Sequence, residues 1–237
     1  MIRRERDDIV WYEFEQLQGF DLVHGVISRR GICQCDDPVN VDVHKRAVKQ
    51  AFGHEHLVMG KQCHGDNVAR IDQKIKGLKR VESCDGLMTD RVGVNLLARH
   101  ADCQAVVFYD PALHVAANVH CGWRGSVKEI LPKTVEGLKQ YGCKPSDLLV
   151  CISPSLGPTR AEFRHYKDEL PESFYPFQVT PTYFNFWEIS RFQLKGAGVL
   201  EEHIECASVC TYLHPEDYYS YRRDGLSGRN VTSICLS

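Results

Sequence analysis

Short apolar runs on both sides of one amphipathic helix constrain the fold of this chain more than any other feature. Residues 94–98 and 104–109 are rich in β-forming side chains, and residues 114–120 form a third strand candidate. Residues 126–141 follow with apolar side chains at helical spacing, and residues 147–152 are typical of another buried strand. Strands before and after an amphipathic helix predict a layered domain of the mixed α/β (α+β) class.

The remaining segments add fewer elements. Pro132 inside the helical pattern predicts a kink or a late helix start, and Gly142 is a stop signal. Residues 189–199 are typical of a further helix, and residues 218–236 of a closing turn and a strand whose side chains alternate. No internal repeat or low-complexity linker interrupts the sequence, so we predict a single layered domain over residues 1–237.

The composition argues against several classes of partner. A formal net charge of -2 gives no electrostatic reason to expect nucleic acid or an acidic membrane surface. No apolar run approaches the ~20 residues of a membrane helix, and the N-terminal stretch lacks the apolar core of a secretory signal. The eleven cysteines, with no CxxC pair, are therefore predicted to be reduced thiols in a cytoplasmic protein.

Three short segments with turn-forming residues carry the side chains best suited to a metal ion. They present His64, Cys103 and His120. Two imidazoles and a thiolate suit a borderline-soft ion such as Zn²⁺, although copper could use the same donors, and three protein ligands leave a fourth position open. The spacing matches no zinc signature, so the residues alone leave this site a hypothesis, with Cys63 and Cys121 as neighbouring competitors.

Seven segments spread over nearly the whole chain form a specific combination of motifs. They are Ser28-Arg29-Arg30-Gly31, KQCHGDNV (61–68), CDGLMTD (84–90), HADCQAVVFYDP (100–111), VHCGWRG (119–125), FWEISRFQLKGAGV (186–199), and CTY (210–212) with YSYRRDGLSGR (219–229). In this order they resemble the YfiH/YlmD family, long labelled laccase-like or polyphenol oxidase and more recently interpreted as purine nucleoside phosphorylases.

The resemblance implies a metal triad of His64, Cys103 and His120, with Zn²⁺ or Cu as cofactor. It also implies a layered fold similar to that of the cytotoxic-necrotising-factor-like cysteine hydrolases, in a monomer or homodimer. The implied reaction is phosphorolysis of adenosine, inosine and 5′-methylthioadenosine, with some adenosine deamination. Residues 153–166 depart from the family pattern, with Ala161 in place of a tyrosine, and this departure leaves the preferred nucleoside open.

Phosphorolysis requires an anion site, for which we consider four arginines. Arg124 lies next to a predicted helix start, where backbone N–H groups and the helix dipole favour phosphate. Arg29, Arg222 and Arg223 are further candidates, because guanidinium groups match phosphate oxygens in a bidentate manner. A surface or structural ion pair is about as common as a catalytic role for any one of them.

Asp102 is the candidate for acid/base catalysis or for orienting a ligand imidazole. Neighbours in a regular strand point to opposite faces, so Asp102 and Cys103 can both face the site only if the strand begins at Gln104. Trp123 and Phe163 are candidates for stacking on a purine, although aromatic residues more often belong to a core.

Three other functions compete with phosphorolysis. A copper polyphenol oxidase is the first, but a multicopper laccase needs several paired His-x-His motifs, and this sequence carries a single one, His54-Glu55-His56. A thiol hydrolase with Cys103 as nucleophile and His120 as base is the second. A metal-binding protein without enzymatic activity is the third.

Overall fold

Two β-sheets lie face to face in a computed structural model that describes residues 1–31, 41–225 and 228–237. In spatial order, the first sheet consists of β1 (Ile2–Arg6), β2 (Ile9–Glu13), β3 (Leu22–Ile27), β15 (Asn230–Leu236), β8 (Asn95–His100), β4 (Leu57–Gly60) and β6 (Leu78–Val81). The second consists of β14 (Ile204–Cys206), β11 (Leu149–Ile152), β9 (Gln104–Asp110), β10 (Val115–Cys121), β7 (Gly86–Thr89) and β5 (Val68–Arg70). A separate hairpin joins β12 (Gln178–Thr180) and β13 (Tyr183–Phe184).

Six α-helices flank the sheets in the described part of the chain. They are α1 (Val41–Phe52), α2 (Trp123–Val127), α3 (Ile130–Lys139), α4 (Tyr166–Glu169), α5 (Phe186–Gly196) and α6 (Tyr221–Asp224). The apolar face of α1 packs on the first sheet, and α3 and α5 pack on the second. The layered mixed α/β class is therefore confirmed, and two stacked sheets form its strand layers. Among the described residues, no helix combines the length and apolar character needed to cross a membrane.

An apolar core fills the space between the sheets, and one buried amide ties them together. Val26, Leu96 and Ile234 of the first sheet and Leu87 and Val107 of the second belong to this core. The Asn118 amide on β10 donates hydrogen bonds across it to the carbonyls of Leu96 and Thr232, each at 2.9 Å. Because a buried amide without partners is costly, these two bonds fix how β10 lies against β8 and β15.

The central segment folds nearly as its pattern predicts. β8, β9, β10 and β11 form where the apolar runs indicated strands. The helix predicted over residues 126–141 is instead two helices, because Glu129 adopts a left-handed φ of 60° between α2 and α3. Pro132 lies in the first turn of α3, where an N–H would have no helical partner, so the late start is confirmed. Gly142 follows with a φ of 93°.

Two later elements differ from their sequence patterns. The helix predicted from residue 189 begins at Phe186, because the Asn185 side chain accepts hydrogen bonds from the backbone N–H groups of Trp187 and Glu188. The side chains of the final strand β15 alternate between two faces, as the sequence pattern predicts, but all of its residues are buried. It pairs with β3 and β8 on its two edges, and both of its faces are covered.

The buried histidine of α1 predicts that acid destabilises the fold. His44 is only 2% exposed, and burial, together with the nearby charge of Arg99, lowers its pKa to about 4. The unfolded chain binds a proton at this ring near pH ~6.5. Stability therefore falls as the pH drops through the window between these two values, and this group costs nothing above it.

We expect the free energy of unfolding to fall between pH 7 and pH 5 by about 2 kcal/mol more in the wild type than in His44→Gln, measured by urea titration. The exposed His165 supplies a matched control, and His165→Gln should keep the wild-type pH dependence. Equal losses in His44→Gln and the wild type would contradict the prediction.

Candidate metal centre and adjoining cavity

The ends of strands from both sheets meet at one edge of the molecule and bring His64, Cys103 and His120 together. His64 follows β4, Cys103 lies in the turn between β8 and β9, and His120 stands near the end of β10. Their candidate ligand atoms, two imidazole nitrogens and a sulfur, all lie within 4.8 Å of one another. The residues proposed as ligands from the sequence therefore form one cluster, the only group of this kind among the described residues.

Local backbone conformation is what allows three segments to approach so closely. His64 itself has a left-handed φ of 57°, which a non-glycine residue adopts only when its surroundings hold it there. Gly122 passes directly beside the cluster. A Cβ at this position would lie 3.0 Å from Cys103 Sγ and 3.0 Å from His64 Cδ2, so any other residue would push these candidate ligands by a few tenths of an ångström.

A buried carboxylate organises the cluster. Asp85 lies just before β7, and its side chain is fully buried. It accepts a hydrogen bond from Nδ1 of His120 at 2.9 Å. It also accepts from the backbone N–H groups of Cys63, His64 and Gly65 at 3.0, 3.0 and 2.9 Å. Asp85 thus orients the imidazole of one candidate ligand and holds the backbone of the other.

The charge state of the cluster follows from these contacts. Burial opposes ionisation of Asp85, but the hydrogen bonds from His120 and from the backbone N–H groups prevail and hold its pKa well below the usual range. Burial also opposes the Cys103 thiolate, yet His120 and His64 lower its pKa to about 6. Burial lowers the pKa of His120, but the negative charges and hydrogen bonds of Cys103 and Asp85 have the larger effect and raise it to about 9. The cluster therefore presents a thiolate at neutral pH.

The donor set fits a metal ion, and the two neighbouring cysteines do not compete with Cys103. Two ring nitrogens and a thiolate within this span match zinc chemistry. The Cys63 thiol donates to Asp85 at 3.2 Å, and this hydrogen bond raises its pKa. Cys121 points to the other face of β10, because successive side chains in a strand alternate, and burial raises its pKa to about 12.

A cavity of about 800 Å³ adjoins the cluster, which is large enough for a nucleoside and an anion together. Trp123, Phe163 and Phe186 form an aromatic wall. Their rings contact one another, with centroids 5.8 Å apart for the first pair and 5.1 Å apart for the second. Trp123 and Phe163, the residues considered for purine stacking, therefore lie beside the candidate metal ligands and form part of a rigid set of rings.

Asp102 also lines this cavity, but its contacts differ from those of a group that orients a ligand. β9 begins at Gln104, which is the condition under which Asp102 and Cys103 can both face the site. The Asp102 carboxylate accepts from Thr211 Oγ1 at 2.7 Å and from the backbone N–H of Arg222 at 2.6 Å. Asp102 thereby anchors α6, whereas the carboxylate on the ligand imidazole is that of Asp85.

The arginines considered for phosphate binding separate into two pairs. Arg124 and Arg222 line the cavity, whereas Arg29 and Arg223 are not among its lining residues. The Arg29 guanidinium lies over the ring of Tyr219, 5.2 Å from its centroid. The Arg223 guanidinium donates to three backbone carbonyls and to Asp224, so it holds its own loop together.

Sequence reasoning missed three residues of this region. Asp85 and Arg229 had no role beyond membership of a motif, and Arg99 was not considered, although both arginines line the cavity. Each stands beside a segment that carries chemistry: Asp85 follows Cys84 before a strand, Arg99 precedes the HADC motif, and Arg229 ends the YSYRRDGLSGR motif. Polar residues at strand ends are the signal that could have identified them.

Comparison with known proteins assigns the family. A family model described as multi-copper polyphenol oxidoreductase laccase matches residues 30–237. The chain belongs to this family, and the resemblance to YfiH and YlmD proteins noted from its motifs is confirmed.

Several relatives carry the name purine nucleoside phosphorylase. "Purine nucleoside phosphorylase LACC1" of Mus musculus is 30% identical over 209 residues, which cover 84% of this chain and 47% of the relative. "Purine nucleoside phosphorylase YlmD" of Geobacillus stearothermophilus is 31% identical over 218 residues, covering 84% of this chain and 80% of the relative. The chain thus spans about half the length of the mouse relative.

Solved structures show the same fold. YlmD from Geobacillus stearothermophilus superimposes with a TM-score of 0.86 at 25% identity, over 98% of this chain and 97% of that one. The Bacillus licheniformis hypothetical protein YfiH gives a TM-score of 0.85 at 23% identity, with 99% of each chain covered. The double-sheet architecture is therefore shared with these proteins.

The contacts of Asp85 predict that it governs metal affinity. In Asp85→Asn one carboxylate oxygen becomes an NH2 group, so either the two N–H groups on Oδ1 (His64 and His120) or the two on Oδ2 (Cys63 and Gly65) lose their acceptor, and the negative charge beside the cluster is lost as well. We expect zinc affinity to fall about 10- to 100-fold, measured by competition with a chromophoric chelator. Asp66→Asn removes a carboxylate from the same loop, where it pairs with Lys133 on the surface, and should leave the affinity unchanged. Equal affinities in the Asp85→Asn variant and the wild type would contradict this role.

Proposed function

We propose that this protein is a metal-dependent purine nucleoside phosphorylase that uses inorganic phosphate to cleave adenosine, inosine and 5′-methylthioadenosine, with adenosine deamination as a side activity. The observation that carries the proposal is the position of His64, Cys103 and His120 in the wall of a cavity of about 800 Å³. That cavity also presents aromatic rings and guanidinium groups, which suit a purine and a phosphate. The names of the relatives support this reaction.

Zn²⁺ is the cofactor we propose, and Cu is the alternative. His64 and His120 would bind the ion through ring nitrogens and Cys103 through its thiolate. Because Nδ1 of His120 is engaged by Asp85, Nε2 is the nitrogen that the ring offers to a metal. A bound ion would supply Lewis-acid chemistry at the position that three protein ligands leave open.

The residues around the cavity account for the needs of phosphorolysis. An oxygen of hydrogen phosphate bonds to C1′ of the ribose while the C1′–N9 bond breaks, and the purine leaves with the bonding electrons and takes up the proton that the phosphate gives up. Guanidinium groups neutralise the attacking phosphate, and the ring set of Trp123 and Phe163 holds the purine plane. Fixing both reactants in one cavity supplies much of the rate, because it replaces a bimolecular encounter.

Asp102 contributes to this reaction by positioning other groups. Its carboxylate is already engaged by the Thr211 hydroxyl and the Arg222 N–H. It therefore holds α6, and with it the Arg222 side chain, at the cavity. In this role Asp102 fixes where the Arg222 guanidinium lies in the cavity wall.

A thiol hydrolase is the second candidate, because Cys103 and His120 form a thiolate–imidazolium pair of the kind that activates a nucleophile. It requires the thiolate to be accessible in the active form. Alkylation with iodoacetamide distinguishes the two functions: zinc should protect Cys103 in a phosphorylase, whereas a hydrolase should be inactivated with or without zinc.

A polyphenol oxidase of the multicopper kind has less support, despite the description of the family model. The described residues contain one group of three metal donors, and multicopper oxidation needs several such groups. Phenol oxidation and nucleoside cleavage measured on one preparation would separate these activities.

Three properties stay predictions. We propose one domain over residues 1–237 and a monomer or homodimer as the oligomeric state. A cytoplasmic location agrees with the cysteines of the described residues, all of which are free thiols.

Incubation of adenosine with the zinc-loaded protein, with and without phosphate, tests the proposal directly. We expect adenine and ribose 1-phosphate to appear only when phosphate is present, detected by liquid chromatography and mass spectrometry. Inosine from the same incubation would report deamination. Cleavage that yields free ribose at the same rate without phosphate would contradict phosphorolysis.

Removal of one ligand tests the role of the metal. We expect His120→Ala to lose both bound zinc, measured by elemental analysis, and phosphorolysis, because two protein donors hold the ion too weakly. The surface residue His165 again provides the control, and His165→Ala should keep both. A His120→Ala variant with full activity and no zinc would remove the metal from the reaction.

A further inference from the structure

The wall of the cavity that the first sheet contributes carries two arginines, Arg99 on β8 and Arg229 just before β15. Arg99 pairs with Val231 in the antiparallel register of these strands. Arg229 stands two residues before Val231 and directly before β15, so the alternation of that strand, continued by one residue, places its side chain on the same face as that of Arg99. Diagonal neighbours of this kind are at most about 7–8 Å apart at their Cβ atoms, within reach of two guanidinium groups that share one ligand.

The segment that presents His64 also fixes Arg99. The Gln62 amide donates to the Arg99 carbonyl at 2.7 Å and accepts from the Arg99 N–H at 2.9 Å. The backbone pairing of β4 with β8 ends at Met59 and Leu97. Beyond it, the Gln62 side chain makes the hydrogen bonds to β8 that a paired backbone would make. Arg99 is therefore held in a set position relative to the candidate metal ligands.

The charge of the cavity favours an anion. Its described lining includes four arginines, Arg99, Arg124, Arg222 and Arg229, but one carboxylate, that of Asp102. Burial lowers the pKa of Arg99, and the positive charges of Arg80 and Arg229 lie close enough to lower it further. A wall that concentrates positive charge in a partly enclosed space attracts and orients anionic ligands.

The other two arginines lie elsewhere in the cavity wall, although Arg229, like Arg222, also donates to a backbone carbonyl, that of Gly228 at 3.0 Å. Arg124 lies over the ring of Trp123, 4.1 Å from its centroid, and Arg222 donates to the carbonyl of Glu162 at 3.1 Å. Both contacts hold these side chains against the part of the cavity that carries the aromatic wall. Arg99 lies in the first sheet and Arg229 directly precedes its strand β15, so this pair stands apart from the aromatic wall.

We propose that Arg99 and Arg229 form the phosphate subsite and that inorganic phosphate binds between their guanidinium groups. This assignment rests on the proposed function for the identity of the anion. From the sequence we considered Arg29, Arg124, Arg222 and Arg223 for phosphate binding. The present assignment replaces them with Arg99 and Arg229. Two guanidinium groups provide the bidentate donors that match the oxygens of a phosphate dianion.

Titration of the zinc-loaded full-length protein with inorganic phosphate, by calorimetry at constant ionic strength, tests the assignment. We expect Arg99→Gln and Arg229→Gln each to weaken phosphate binding at least about tenfold, because each removes a charged bidentate donor. Arg3→Gln removes an exposed arginine of the edge strand β1 and should change the affinity less than about twofold. Unchanged phosphate affinity in both cavity variants would overturn the assignment.

Two further measurements guard against folding defects and a different anion. Arg99→Lys keeps the charge and should bind phosphate more tightly than Arg99→Gln, and thermal unfolding of each variant reports its integrity. If Arg99→Gln does not fold, Arg229→Gln and Arg99→Lys carry the test. Adenosine 5′-monophosphate is titrated in parallel, because its phosphate offers the same chemistry. Binding of this nucleotide with none of free phosphate would overturn the assignment to the inorganic ion.

Kinetics separate this assignment from the proposed function. In the variants we expect KM for phosphate to rise about tenfold or more while KM for adenosine changes less than about twofold. Phosphorolysis that survives in both variants with unchanged KM for phosphate would reject the subsite and leave the function standing. If both variants lose phosphate binding but the wild-type protein cleaves no nucleoside, the proposed function is rejected and the anion site stands.

Discussion

The buried carboxylate of Asp85 is the interaction on which the rest of the site depends. It joins the start of β7 to the loop after β4 and to the end of β10. Those segments belong to different sheets, and the hydrogen bonds of one side chain hold them in register. The left-handed conformation of His64 persists because its N–H and those beside it converge on this carboxylate. A carboxylate buried with so many donors is stable only as the anion, so its charge also favours a cation nearby.

The alternation of side chains along strands then sorts the surrounding residues. On β10, Asn118 and His120 point between the sheets, whereas Cys121 points towards the helices. On β8, Leu96 belongs to the core between the sheets and Leu97 to the core under α1. Arg99 lies on the side of Leu97, which explains why it reaches the cavity around the end of the first sheet.

Much of the fold could be predicted from sequence, because hydrophobic pattern specifies local structure. The strands of the central segment formed where apolar runs stood, and the proline near the start of α3 had the expected consequence. The number of sheets could not be predicted, because both sheets use short buried strands with the same kind of pattern. The burial of both faces of β15 likewise depends on what packs on it, which a single segment does not encode.

For the site, the sequence identified residues whose chemistry is distinctive and missed those whose role depends on partners. His64, Cys103 and His120 are unusual donors in turn-rich segments, and the structure brings them within 4.8 Å. Asp85 is an ordinary acidic residue until the chain places four N–H groups around it. Arg223 appeared equivalent to Arg222 in sequence, yet one donates to backbone carbonyls of its own loop and the other lines the cavity.

The position of β15 has a consequence for the order of folding. This strand lies near the middle of the first sheet, but the ribosome synthesises it after every other strand of both sheets. The second sheet is built from residues 68–206 and can assemble earlier. In the first sheet, β3 and β8 do not pair with each other, and both need β15 between them. Pairing so distant in sequence is slow, because the chain must close a long loop before any contact stabilises it. Until then, the edges of β3 and β8 are exposed to other chains, so this gap is where a nascent molecule is most open to aggregation or to a chaperone.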